Sequence, residues 1–411
     1  MNVTLPGDPY ASLVEEAGQS TVQRRGALTL KPAALPDAQA IPPRRWLYGR
    51  MLIQGYITVL VAPGGVGKTA VSIGISHSLA TGRGQLGDWV YQRTRVLTCT
   101  LEDPEDEYDR RNAASMLHHG IPRDELDGRL FVVSGRDRPL LVAGLDTDGH
   151  TVCYPDKARL IDLVRQNRIG CIVVDPFVNS HELDENNNPH INAAARAWAE
   201  IANEACCAVL LVHHTRKGAL AGDIEGSRGA KALTDACRVG LTLTAMTEEE
   251  ARGFGIADRD RRLHIRMDDA KSNLAPPADK ARWFKLVGVE LGNGQPGTPW
   301  HQGDNVQALE VWEPPEVFTQ TPAELNQVLD AIASGPSPGR RYTSKRTGAG
   351  GGVRWAGRAV MQMLGIEEGP AGKIVAAWVK TGLLVESTYR DPESRKDVGG
   401  IIVIDSQRPG S

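Results

Sequence analysis

A lysine and a hydroxyl residue closing a glycine-rich turn are the side chains best placed for chemistry. Ala62-Pro63-Gly64-Gly65-Val66-Gly67-Lys68-Thr69 follows the apolar run Tyr56 to Val61 and precedes Ala70 to Ile75, which is apolar enough for a buried helix. The glycines let successive N–H groups converge on phosphate oxygens, and the helix start adds its positive dipole end. Lys68 is expected to reach the β- and γ-phosphates, and the Thr69 hydroxyl to ligate Mg²⁺. Ala62 stands where this pattern usually opens with Gly, at a position that needs only a small residue. Pro63 to Ala70 therefore read as an intact phosphate-binding P-loop.

Acids and histidines close other apolar runs. Ile169 to Val174 ends in Asp175-Pro176, a Walker B pattern in which Asp175 holds the Mg²⁺ shell. Many P-loop ATPases place a water-activating glutamate directly after that aspartate, and here the position is Pro176. The base must come from another strand. Thr94 to Leu101 ends in Glu102-Asp103-Pro104, so Glu102 is the expected base, with Asp103 as its alternative. A capping acid for the next helix is the plainer role for Glu102. A base on a neighbouring strand places the site in the RecA class rather than the AAA-plus class. Cys207 to Val212 ends in His213-His214-Thr215-Arg216-Lys217-Gly218, and no Cys or acid stands at ligand spacing to make that pair a metal site.

These residues need a scaffold that brings strand ends together. Strands alternating with helices predict a doubly wound, mainly parallel sheet whose ligand site lies at the carboxyl ends of the strands. Lys68, Glu102, Asp175 and His214 all fall on that edge. Helices are expected from Glu105, over Arg159 to Arg168, over Ala193 to Ala205 and from near Ala230. A loop is expected from Asn179 to Pro189, and a further strand over Val239 to Leu243. The alternating runs Leu263 to Met267, Trp283 to Leu291 and Val306 to Trp312 predict antiparallel strands extending the sheet. Trp46 and Tyr48, just before the first core strand, read as packing residues rather than flanks for an adenine.

Taken in order, Gly-Gly-x-Gly-Lys-Thr, Leu101-Glu102-Asp103-Pro104, Val174-Asp175-Pro176, Val212 to Gly218 and Gly226-Ser227-Arg228-Gly229 resemble the RepA-type hexameric plasmid helicases of the RecA-like ATPase superfamily. The resemblance covers approximately Pro42 to Pro314. It implies a homo-oligomeric ring, expected as a hexamer, with ATP between neighbouring subunits and single-stranded DNA in the centre. It also implies that Glu102 is the catalytic glutamate and Asp175 the Walker B aspartate. His214 matches a polar sensor that couples the γ-phosphate to the DNA loop, and Arg228 matches an arginine finger acting on the neighbour's γ-phosphate. Lys231 and Lys271 are weaker candidates for a trans-acting cation. The loop Thr215 to Gly226 holds Arg216 and Lys217 among small residues and no aromatic, which suits phosphate contact rather than base stacking.

The 411 residues give room for two or three domains. Residues 1–40 read as a flexible arm, 41–318 as the RecA-like ATPase domain and 319–411 as a winged-helix-like domain. In the last of these, helices precede Leu383 to Tyr389 and Val398 to Ile404, and Arg390, Arg395 and Lys396 would arm the wing. Six basic residues and no acid lie between Arg340 and Arg358, a glycine-rich tract expected to be loose when free. Arg354 and Lys373 are candidate DNA contacts. The six cysteines form no Cys-x-x-Cys pair, so neither disulfides nor zinc are indicated. No apolar run is long enough for a membrane span or a signal peptide, which predicts a cytoplasmic protein without membrane contact. The expected function is an ATP-dependent DNA helicase, with an initiator or loader protein as its candidate partner. The alternatives are a DNA-binding ATPase acting as a regulatory or loading switch, and a scaffold that binds ATP to assemble.

Overall fold

A parallel strand whose residues are apolar without interruption needs cover on both faces. In β1 (Ile57–Pro63), Val59 and Val61 point to one face and Leu60 and Ala62 to the other, and all four are buried. The computed structural model describes residues 32–136, 138–215, 230–254, 256–276, 278, 280–315, 321–346 and 352–409.

After β1 come α1 (Lys68–Thr81), β2 (Arg95–Thr100), α2 (Glu105–His119), β3 (Leu130–Ser134), α3 (Pro155–Gln166) and β4 (Ile169–Asp175). They are followed by α4 (Asn188–Glu204), β5 (Ala208–Thr215), α5 (Ala230–Ala236), β6 (Val239–Ala245), β7 (His264–Ser272), β8 (Arg282–Glu290) and β9 (Asn305–Val311). The strands form one sheet of nine, in the order β9-β8-β7-β6-β1-β5-β4-β2-β3. Strands β6 through β3 run parallel, and β7, β8 and β9 continue the sheet antiparallel, as the alternating runs predict.

Helices α3, α4 and α5 cover one face, packing Ile161, Trp198 and Leu233 against Val59, Val174 and Val209. Helix α1 covers the other face, where Val71, Ile75 and Leu79 meet Leu60, Val173 and Leu210 in a core that continues to Ile265 and Phe284. Tyr48 is wholly buried in this second core, and Trp46 packs beside it, so both serve packing.

Some boundaries differ from expectation for local reasons. Helix α3 starts at Pro155 instead of Arg159, because proline is pre-organised for the first helical turn. Helix α4 starts at Asn188 instead of Ala193, where Asn187 accepts from the His190 N–H at 3.5 Å and Pro189 occupies the first turn. Strand β5 outlasts its apolar run because the ladder with β1 pairs His213 with Val61, His214 with Ala62 and Thr215 with Pro63. The edge strand β3 is not among the expected strands. It is mostly half-buried and exists through its pairing with β2.

Toward the C-terminus, α6 (Pro322–Ser334), α7 (Gly357–Leu364) and α8 (Glu368–Lys380) are closed by a hairpin of β10 (Leu384–Arg390) and β11 (Asp397–Val403). Leu325, Leu329, Val360, Ile374, Trp378 and Ile401 form their core. Thr321 and Glu324 make a reciprocal capping box at the start of α6.

The basic tract before α7, expected to be loose, is packed on this hairpin in its described residues, and 347–351 lie outside them. Arg340 Nε donates to Asp391 Oδ2 at 2.9 Å, and Arg354 donates to the Arg341 carbonyl at 3.0 Å and the Gly399 carbonyl at 2.8 Å. The Arg341 and Arg354 guanidinium groups lie 5.1 and 5.7 Å from the centre of the Tyr389 ring. Asp391 is fully inaccessible and also accepts from the Ser394 and Glu393 N–H groups, which with Arg340 hold its carboxyl down at about 2. No described helix is long and apolar enough to cross a membrane.

Candidate functional site

The phosphate loop turns between β1 and α1 with Gly65 at φ +76° and Gly67 at φ +88°, both in the left-handed region. Gly67 is required twice over, since a Cβ there would lie 2.7 Å from Ile265 Cδ1 on β7. Gly64 and Gly65 instead have open space where a Cβ would be, so that side of the loop is free to approach a ligand. Pro63 ends β1, and Val66 packs against the α1 core. Lys68 folds back on the loop, its Nζ donating to the Pro63 carbonyl at 2.8 Å and the Ala62 carbonyl at 3.2 Å. Burial lowers its pKa, and Asp175 and Glu102 oppose that shift.

Strand alternation decides which side chains meet the loop. Asp175 shares its face of β4 with Val173 and Cys171, which belong to the α1 core. Thr69 Oγ1 donates to Asp175 Oδ2 at 3.0 Å. Burial raises the Asp175 pKa, while the Thr69 hydrogen bond and the charges of Lys68 and Arg111 pull it back.

On β5, His214 shares the face of Val212 and Leu210 and reaches the same site, its Nε2 lying 3.9 Å from Glu102 Oε2. Burial, and then the nearby Lys68 charge, lower the His214 pKa, so at neutral pH the ring is an uncharged hydrogen-bonding group. His213 points to the opposite face, buried against Phe177, and burial pushes its pKa down to about 4. Among the described residues neither histidine joins a metal-ligating cluster.

Lys68, Thr69, Glu102, Asp175 and His214 thus line one cleft of about 470 Å³, together with Gly65, Gly67 and Ala70. Two hard oxygen donors in contact beside a buried ammonium, at a helix N-terminus, fit a triphosphate with its Mg²⁺. Asp103, the alternative base, also lines the cleft, but its carboxylate is paired with Arg111 at 2.7 Å. The weaker trans candidate Lys271 donates to the Thr234 and Asp235 carbonyls at 2.7 and 3.2 Å and so caps α5. Lys231 lies near the start of α5, and Lys373 is exposed on α8. Arg216, Lys217 and Arg228 lie outside the described residues.

Two features of the cleft go beyond the sequence reading. Arg111 lies three residues beyond the buried Tyr108 on α2 and also bonds Glu107 at 3.0 Å, a helical spacing that marks it as sheet-facing. Asn305, Val306 and Gln307 of β9 line the cleft too, and no local pattern signals that.

A phosphate-loop strand separated by one further strand from the strand that ends in Asp175, with Glu102 at the tip of the next strand, is the strand order of a RecA-like P-loop fold. The chain has that fold. Residues 24–219 match the family model described as an AAA domain. Among solved structures, the chain is similar to a DnaB-like replicative helicase at 11% identity and a TM-score of 0.40, over 57% of this chain and 56% of that one. It is also similar to a separately solved ATPase domain at 12% identity and a TM-score of 0.39, over 58% of this chain and 84% of that one. The chain thus spans just over half the length of the first of these.

Proposed function

We propose that the protein is an ATP-dependent, ring-forming DNA helicase or translocase of RepA type, hydrolysing ATP between subunits to move on single-stranded DNA. The observation that carries this reading is the approach of His214 to Glu102 at the tip of β5. One strand end thereby comes within 3.9 Å of the candidate base and leads directly into the sequence holding Arg216, Lys217 and Arg228. A group that senses the γ-phosphate is covalently continuous with the candidate DNA loop.

In this reading Lys68 binds the β- and γ-phosphates, Thr69 and Asp175 hold Mg²⁺, and Glu102 orients and deprotonates the attacking water. The metal supplies charge neutralisation on the phosphates. Arg228 completes the neighbour's site, neutralising charge that builds in the transition state. An N-terminal segment (1–40), of which 1–31 lie outside the described residues, precedes the ATPase domain (41–318) and a winged-helix-like domain (319–411) offering Lys373 to DNA. A loader or initiator protein would deliver the ring.

The test is ATP turnover by the full chain with and without single-stranded DNA, using Lys68→Ala as the blank. A large DNA-dependent rise, lost in Arg228→Ala while nucleotide affinity is kept, supports the motor. Turnover indifferent to DNA points to a regulatory or loading switch instead.

A further inference from the structure

The cleft has a second wall that the phosphate chemistry does not use. Strand β9 is an outer edge of the sheet, and its first residues, Asn305 to Gln307, line the cleft that the phosphate loop also lines. In an antiparallel pair, alternate residues turn both backbone groups toward the partner strand or both away from it. The Leu291 N–H donates to the Asp304 carbonyl at 2.9 Å and the Trp312 N–H to the Trp283 carbonyl at 3.0 Å, so the even-numbered residues of β9 face β8. The odd-numbered ones face outward. Leu309 shows the consequence, since its carbonyl is bonded by His119 Nε2 of α2 at 2.9 Å. Helix α2 therefore lies along the outer edge, and its Glu107, Tyr108 and Arg111 form the neighbouring cleft wall.

We infer that this outer edge reads the base of the bound nucleotide and selects adenine, the Asn305 carbonyl accepting from the 6-amino group and the Gln307 N–H donating to N1. Those two groups are the consecutive outward acceptor and donor of an extended strand, the order in which adenine presents a donor and an acceptor. Guanine presents the reverse, an acceptor at O6 and a donor at N1, and would set like groups against each other. The Asn305 side chain is held aside by its bond to Glu290 Oε1 at 2.5 Å. The Gln307 side chain is exposed and makes no hydrogen bond among the described residues, leaving a carboxamide beside the base. The volume of about 470 Å³ lies within the usual range for small-molecule sites.

The inference rests on the reading of the cleft as an ATP site. Its test is competition binding to the full chain with Mg²⁺, using ATP, GTP, 1-deaza-ATP and the purine triphosphate lacking the 6-amino group. GTP should bind at least about 30-fold more weakly than ATP, because the cleft's polar groups are left unpaired. Each single-atom analogue should lose about 5- to 10-fold, one hydrogen bond's worth. Gln307→Pro removes an outward N–H without costing a ladder bond. It should weaken ATP to the level of 1-deaza-ATP and abolish the difference between them.

Equal binding of all four triphosphates within about twofold overturns the inference and leaves the phosphate site standing. So does a Gln307→Pro variant that still distinguishes ATP from 1-deaza-ATP. If that variant does not fold, the analogue series on the native chain decides. Failure of every triphosphate to bind overturns the ATP-site reading as well.

Discussion

The hydroxyl of Thr69 donates to Asp175 Oδ2 at 3.0 Å across 106 positions of sequence, joining the start of α1 to the end of β4. Both oxygens are the donors expected to hold Mg²⁺. Asp175→Asn should therefore bind nucleotide normally in chelator but lose the gain in affinity that Mg²⁺ gives, with hydrolysis reduced by about 100-fold or more. Nucleotide titration with and without Mg²⁺ checks this, and an unchanged Mg²⁺ effect would remove Asp175 from the metal shell.

Glu102 and Asp103 are adjacent acids in the same cleft, and Asp103 is held by Arg111. Glu102→Gln should keep nucleotide affinity and lose about 100- to 10,000-fold in turnover. Asp103→Asn should retain most of the activity. Single-turnover hydrolysis separates the two, and the opposite ranking would move the base to Asp103.

Gly67→Ala meets two obstacles, a positive φ and the Ile265 Cδ1 atom. The backbone term alone is about 1–3 kcal/mol. In an Ile265→Val background the clash is relieved and the φ strain is not, so the same substitution should cost about 1 kcal/mol less. Urea unfolding of the four proteins measures that coupling, and a coupling of zero would show that β7 does not brace the loop.

His77 is wholly buried between Asn112 Oδ1 at 2.9 Å and Ser115 Oγ at 3.0 Å, joining α1 to α2. Burial pushes its pKa down from 6.5 to about 4. The unfolded chain takes up a proton near pH 6.5 and the native one only near pH 4. Stability is thus full above about pH 6.5 and falls as the pH drops toward 4, by up to about 3 kcal/mol from this residue. His77→Gln should flatten the pH dependence of the unfolding midpoint in that window. Parallel profiles for the two proteins would contradict the assignment.

Arg354 and Lys373 are both candidate DNA contacts by sequence, yet their surroundings differ. Arg354 bonds two carbonyls beside the Tyr389 ring, whereas Lys373 is exposed on α8. Arg354→Ala should destabilise the C-terminal elements by about 1–3 kcal/mol. Lys373→Ala tests the DNA contact. It should weaken single-stranded DNA binding regardless of sequence and reduce the salt slope by about 0.7. Thermal unfolding and salt titrations distinguish the two roles.

The candidate phosphate-site residues were legible in the chain because their chemistry is local. A glycine turn followed by Lys68-Thr69 works through its own backbone, and apolar runs ending in Glu102, Asp175 and His214 carry their meaning in the period of a buried strand. The antiparallel extension was legible as well, from alternation alone. What the sequence could not decide was which strand lies beside which.

Pairing across the sheet carries β5 on to Thr215, brings His214 to Glu102 and creates the edge strand β3. The same long-range packing lays Ile265 against Gly67 and sets the outer edge of β9 across the cleft. It also commits Arg354 to a hairpin residue 45 positions away. Each of these depends on atoms distant in sequence meeting at a few ångströms, a relationship that no local propensity encodes and that only the closed fold supplies.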